Sequence, residues 1–128
     1  MTSLALDTHA ALWWSFLPEK LSRKARDAVD SATQLLLPGI IFWEAALLIR
    51  KKRIELPVSV GDWLSGLESS DRWRVVALDA RIALAAEGLK MHADPADRFV
   101  VATALHCGVP LVTKDRAIRS SKHVQIVW

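Results

Sequence analysis

A chain of 128 residues, 52% apolar and 24% charged, fits one globular domain spanning residues 1–128 with a core of its own. Seventeen basic against fourteen acidic side chains leave +3, which permits a polyanionic partner without requiring one. A single cysteine, Cys107, excludes an internal disulfide framework, no basic leader precedes an apolar stretch, and Gly108 and Pro110 interrupt the longest uncharged run, Phe99 to Thr113. That run is shorter than the roughly 20 residues of a membrane span, so a soluble cytoplasmic protein with no membrane partner is expected.

Short apolar runs alternate with helical patterns. Leu4 to Leu6 reads as a strand, and Thr8 can cap a helical turn through Ala10, Ala11, Leu12 and Trp13, closed by Pro18. Ser22 opens an amphipathic helix with Ala25, Ala28, Val29 and Ala32 on one side. Leu35 to Leu37 is a second strand, ended by Pro38-Gly39, and a helical pattern runs from Ile41 through Ile49 into the basic run Arg50-Lys51-Lys52-Arg53. After Pro57 comes a helix carrying Val60, Trp63, Leu64 and Leu67, then a third strand from Arg74 to Leu78.

Asp79 caps a helix from Ala80 to Glu87 that Gly88 stops. Asp94-Pro95-Ala96-Asp97 has the grammar of a helix start, with a cap, a proline in the first turn and an acid at the third position; that helix runs to about His106. Gly108-Val109-Pro110 leads into a fourth strand, Leu111 to Thr113, and Val124 to Val127 makes a fifth. Strands separated by helices imply an α/β fold with a largely parallel sheet covered on both faces, whose ligands gather at the carboxyl ends of the strands.

Four acids stand at the edges of apolar runs: Asp7 after Leu4-Ala5-Leu6, Glu44 within Ile40 to Leu47, Asp97 before Phe99-Val100-Val101, and Asp115 past Leu111-Val112-Thr113. A carboxylate removed from water needs a cation, hydrogen bonds or a metal, and no matching set of Lys or Arg lies inside those segments. Crowded carboxylates with no histidine pair or cysteine cluster suit a hard divalent ion, Mg²⁺ or Mn²⁺. The chemistry this suggests is metal-assisted phosphodiester hydrolysis.

Leu6-Asp7-Thr8-His9-Ala10-Ala11-Leu12-Trp13, Phe42-Trp43-Glu44, Asp94-Pro95-Ala96-Asp97-Arg98 and Leu111-Val112-Thr113-Lys114-Asp115 together resemble the PIN-domain ribonucleases, and among them the VapC toxins of bacterial toxin–antitoxin pairs. The resemblance spans the chain, and its Asp-Pro-x-Asp-Arg piece is the most specific part. It implies a three-layer α/β/α fold around a mostly parallel sheet of four to five strands. It further implies Mg²⁺- or Mn²⁺-dependent endoribonuclease activity on RNA, a homodimer, and a cognate VapB-like antitoxin. Asp7, Glu44, Asp97 and Asp115 match the metal-binding acids of the family. In one place the chain departs from the pattern: Pro38, Gly39 and Ile41 stand where the family often carries small hydroxyl residues before its glutamate. That departure implies a missing hydroxyl contact near Glu44, and with it the alternative of a catalytically silent PIN-like module that binds RNA or protein.

Other residues have plainer readings. Asp94 reads as a helix cap, and His9 and His92 carry no role. Thr113 is a candidate to orient a water or phosphate, and Arg98 and Arg116, each beside an acid, are candidates to meet phosphate. The run Arg50 to Arg53 suits a solvated helix end. Trp13 and Trp14 are adjacent and cannot share a helix face, so one is expected in the core and the other outside it. A receiver-type phosphoacceptor domain with Asp79 as acceptor fits poorly, because that fold wants a pair of acids after the first strand and only Asp7 is there.

Overall fold

The computed structural model describes residues 2–92 and 94–128. Strands β1 (Ser3–Leu6), β2 (Gln34–Pro38), β3 (Trp73–Val76), β4 (Leu111–Val112) and β5 (Ile126–Val127) form one sheet in the order β3-β2-β1-β4-β5, every neighbouring pair parallel. The helices between them are α1 (Thr8–Phe16), α2 (Arg23–Ser31), α3 (Ile40–Arg50), α4 (Val60–Glu68), α5 (Ala80–Glu87), α6 (Pro95–Cys107) and α7 (Arg116–Ser121), with a 3-10 turn at Pro18–Lys20.

The three central strands are unbroken apolar runs because both their faces are covered. Leu4 to Leu6, Leu35 to Leu37, Leu111 and Val112 are at most 3% exposed, and each leucine buried there contributes on the order of 2 kcal/mol. The chain steps outward from β1 to β2 to β3, then returns across β1 to β4 and β5. Right-handed crossovers of opposite stepping put their helices on opposite faces, which gives the three layers. The reversal falls between β1 and β4, where a parallel sheet opens a crevice beyond its carboxyl edge.

Most expected elements are present, with shifts that have local causes. The third strand ends at Val76, since Ala77 and Leu78 are solvent-facing and Asp79 already caps α5 through its bond to the Ile82 N–H. The fourth ends at Val112 because Thr113 turns its hydroxyl to the side chain of Asp7. Asp7, not Thr8, caps α1: its Oδ1 accepts from the Ala10 N–H at 2.9 Å. Gly108 ends α6 in the left-handed conformation (φ 66°) that a side chain would strain, and so turns the chain toward β4.

Trp13 and Trp14 do not divide into core and surface. Both are half-buried, Trp13 beside Trp128 and Trp14 beside Trp73 and the Arg72 guanidinium, while the exposed indole belongs to Trp43. No described helix is long and apolar enough to cross a membrane.

Candidate metal centre

Two acids come from the sheet. Asp7 directly follows β1 and Asp115 lies three residues past β4, so the neighbouring strands deliver both to the carboxyl edge at the point of reversal. The Asp7 N–H donates to the Val112 carbonyl at 3.2 Å, which extends the β1–β4 pairing by one step. Thr113 then links the two: its hydroxyl donates to Asp7 Oδ2 and accepts the Asp115 N–H at 3.0 Å. Asp115 in turn caps α7, accepting the Ile118 N–H at 2.9 Å.

The other acids come from helices. Glu44 sits one turn into α3, with buried Ile41 and Ala45 anchoring the inner side, and the Thr8 hydroxyl donates to Glu44 Oε1. That contact from α1 supplies a hydroxyl where Pro38, Gly39 and Ile41 offer none. Asp94 caps α6, accepting the Asp97 N–H at 3.3 Å, and Asp97 occupies the third helical position. His92 Nε2 lies 2.7 Å from Asp97 Oδ2.

These side chains face one cleft of about 470 Å³, lined by Asp7, Glu44, Asp94, Asp97 and Asp115, with Thr8, Trp13 and Arg116 among its walls. Burial pushes Asp7 up to about 6. Its bonds from Thr113 and Ala10 pull the other way, and the charges of Asp115 and Glu44 raise it further. Asp97 also rises to about 6, first through burial, with His92 opposing and Asp94, Asp115 and Glu44 adding repulsion. Glu44 and Asp115 thus act on both aspartates.

Glu44, Asp94 and Asp97 each offer a carboxylate oxygen within 4.8 Å of the other two. The donor chemistry is all oxygen, which suits hard divalent cations of the Mg²⁺ and Mn²⁺ type. A cation there would relieve the repulsion that lifts Asp97.

Arg98 does not reach the cleft, contrary to expectation. Its guanidinium donates to four backbone carbonyls, those of Ala86, Leu89, Met91 and His92 at 2.8–3.0 Å, and so ties down the segment between α5 and α6. Arg116 lines the cleft and is exposed; Thr113 is fully buried and orients the Asp7 carboxylate. Sequence reasoning missed three contributors. Asp94 was readable only as a cap and is also in the carboxylate triad; Thr8 and His92 bond Glu44 and Asp97, and the Asp7-Thr8 adjacency was the available signal for the former.

An all-parallel α/β sheet whose switch point opens onto a cluster of carboxylates defines the class of fold and site. The chain belongs to the PIN domain family, whose model matches residues 4–123. It is 40% identical to Ribonuclease VapC22 of Mycobacterium tuberculosis in an alignment of 132 positions that covers the whole of both chains. Among solved structures it is similar in fold to Mycobacterium tuberculosis VapC20, described as a Sarcin-Ricin loop cleaving toxin, with TM-score 0.68, 16% identity and coverage of 98% of this chain and 99% of that one. A toxin–antitoxin complex from Klebsiella pneumoniae matches with TM-score 0.66 and 16% identity over 94% of each chain.

Proposed function

We propose that residues 1–128 act as one PIN domain, an endoribonuclease of the VapC kind that hydrolyses RNA phosphodiester bonds with Mg²⁺ or Mn²⁺ held by Asp7, Glu44, Asp97 and Asp115. One observation carries this reading: those four carboxylates, with Asp94, line a single cleft at the switch point of the sheet. The likeness to Ribonuclease VapC22 along the whole chain supports the same reading.

When bound, the cation supplies charge compensation at the phosphoryl oxygens and a lowered pKa for a water molecule. The protein groups do the positioning. Thr113 holds Asp7 in one orientation from the sheet side, Thr8 holds Glu44, and His92 with the Asp94 cap holds Asp97 at the start of α6. Arg116, exposed on the cleft wall, is the cation assigned to a substrate phosphate. The Thr8 contact favours this reading over the silent module, because it seats Glu44 among the other acids despite the Pro38 to Ile41 departure.

In this reading the protein acts in the cytoplasm as the toxin half of a pair, held inactive by a VapB-like antitoxin, and forms a homodimer. Structured RNA incubated with the purified chain should be cut in Mg²⁺ or Mn²⁺ and left intact in chelator. Cleavage undiminished by chelator, or none with any divalent cation, rejects the metal-dependent nuclease. Light scattering at tens of micromolar, an order well above the dissociation constant of a stable dimer, should give twice the 14.2 kDa chain mass; a monomer there rejects the dimer.

A further inference from the structure

Asp97 and Arg98, consecutive near the start of α6, close on the same residue, one through its ring and the other through its carbonyl. His92 Nε2 lies 2.7 Å from Asp97 Oδ2, and the His92 carbonyl accepts Arg98 Nε–H at 3.0 Å. The described residues between α5 and α6 form no helix or strand, so their carbonyls need partners from outside the segment. Arg98 supplies most of them: Nη1 donates to the carbonyls of Ala86 at 3.0 Å and Leu89 at 2.9 Å, and Nη2 to that of Met91 at 2.8 Å. His123, from the segment before β5, donates to the Lys90 carbonyl at 3.0 Å. Ala86 lies in the last turn of α5, which carries no basic side chain, so the guanidinium also meets the negative end of that helix. The His92 ring has no second anchor, since its Nδ1 is buried without a hydrogen-bond partner among the described residues. The ring therefore stands where the backbone of residue 92 puts it.

We propose that Arg98 is a positioning residue of the cation site: by holding the carbonyls around His92 it fixes the imidazole that orients Asp97 toward Glu44 and Asp94. The proposal rests on the metal-dependent nuclease reading and assigns to that site a residue outside the cleft. An ionised carboxylate only accepts, so the bond to Asp97 needs the ring proton on Nε2, and the partnerless Nδ1 is then a bare lone pair instead of an orphaned donor. That bond occupies one oxygen of Asp97 and leaves the other to ligate among carboxylate oxygens that lie within 4.8 Å of one another. Outer contacts that orient a ligand in this way are worth roughly ten- to a hundredfold in metal affinity. Arg98 has no carboxylate within ion-pair distance among the described residues and does not line the cleft, so neither a salt bridge nor a substrate phosphate accounts for it. Its fork of N–H groups reaches four carbonyls at once, which an ammonium on a single stem cannot do. Lysine would serve a phosphate contact; the clasp needs arginine.

The test reads Mn²⁺ binding to the full chain without RNA, through the loss of the electron paramagnetic resonance signal of the free ion. Arg98→Lys should weaken Mn²⁺ binding by roughly tenfold or more although the charge is kept. Cleavage should split the same way: a higher Mn²⁺ requirement, with kcat and KM for RNA near wild type once Mn²⁺ saturates. His92→Phe keeps a ring and removes the donor, and should weaken Mn²⁺ binding to a similar degree. His92→Gln, whose amide can donate to Asp97, should recover part of that loss. Because Arg98 acts through His92, Arg98→Lys/His92→Phe should bind Mn²⁺ within about twofold of His92→Phe alone. Should Arg98→Lys lose its cooperative unfolding in urea, the His92 pair decides: the glutamine should bind Mn²⁺ more tightly than the phenylalanine.

Wild-type Mn²⁺ affinity in a folded Arg98→Lys or in His92→Phe overturns the proposal, as do losses that multiply in the double variant or a glutamine that binds no better than phenylalanine. A raised KM for RNA at saturating Mn²⁺ makes Arg98 a substrate contact and overturns it likewise. Chelator-sensitive cleavage combined with wild-type Mn²⁺ affinity in these variants removes the positioning role and leaves the nuclease reading standing. Mn²⁺ binding that depends on Arg98 and His92, in a chain that cuts no RNA, does the reverse, so the two failures are distinguishable.

Discussion

The two halves of the acidic cleft are built on different principles. On the sheet side, Asp7 is 8% exposed, and its two oxygens are engaged by the Ala10 N–H and the Thr113 hydroxyl, which also takes the Asp115 N–H. On the helix side, Asp94 is exposed and Glu44 and Asp97 are half-buried, yet their oxygens lie within 4.8 Å of one another. In the first half Asp7 is buried and held by backbone pairing beside an exposed Asp115; the second concentrates charge where water can enter. Both aspartates nevertheless titrate near 6, because burial is the first cause in each case. The sheet thus fixes position, and the helix starts of α3 and α6 supply charge density around it.

The largest effect should come from removing charge in either half. Asp7→Asn and Asp97→Asn should each lower kcat/KM for RNA cleavage by roughly a hundredfold or more, the scale of losing one preorganised electrostatic contact in a closed site. The halves should then part company under excess Mg²⁺. Asp97→Asn leaves Asp94 and Glu44 in reach of each other and should recover part of its rate, whereas Asp7 stands outside that group of three acids and Asp7→Asn should not. Equal recovery by both variants would show that the two halves are interchangeable, and a wild-type rate in either would remove that residue from the site.

Much of this arrangement was legible because its signals are local. Asp94-Pro95-x-Asp97 states its own helix start, and the leucine runs state buried strands, so the sheet edge and the acids along it follow from spacing. The supporting contacts were not, since each joins segments far apart: Thr8 reaches Glu44 36 positions away, and Thr113 reaches Asp7 across 106. Asp94 was fully accounted for as a cap, which hid its place in the carboxylate triad. Arg98 misled through adjacency. Consecutive helical residues point about 100° apart, so a cation next to Asp97 in sequence faces the carbonyls of the preceding segment instead.

The next effect concerns stability without metal. Asp7 holds its proton up to about 6 in the native state and releases it near 3.8 when unfolded. An acid raised by folding contributes no penalty below 3.8, where both states are protonated. Between 3.8 and 6 the native state binds a proton the unfolded chain has lost, so stability falls as pH rises, and the full cost is present above 6. At about 1.4 kcal/mol per pH unit that interval is on the order of 3 kcal/mol. Asparagine caps a helix about as well as aspartate and carries no charge. In chelator, Asp7→Asn should therefore be more stable than wild type at pH 7.5, and the gap in urea unfolding should close by pH 4. A gap unchanged across that range would mean that Asp7 is not the residue bearing the cost.

The smallest effect separates the two hydroxyls that serve the two halves. Thr113 is fully buried and Thr8 is 2% exposed, so valine fits either site without a cavity. Their partners differ. Thr113→Val removes one of the two donors to the buried Asp7 carboxylate among the described residues, together with the acceptor of the Asp115 N–H, a loss on the order of 1–3 kcal/mol in urea unfolding at pH 7.5. Thr8→Val frees a Glu44 oxygen that is half-open to water, which can replace the bond, so its cost in stability should stay below about 1 kcal/mol. The ranking should reverse in cation dependence. Glu44 loosened on the helix side should raise the Mg²⁺ concentration for half-maximal cleavage several-fold while the fold is untouched. If Thr8→Val proves the more destabilising of the two, the helix side is the more firmly held half and the assignment of roles to the two sides is inverted.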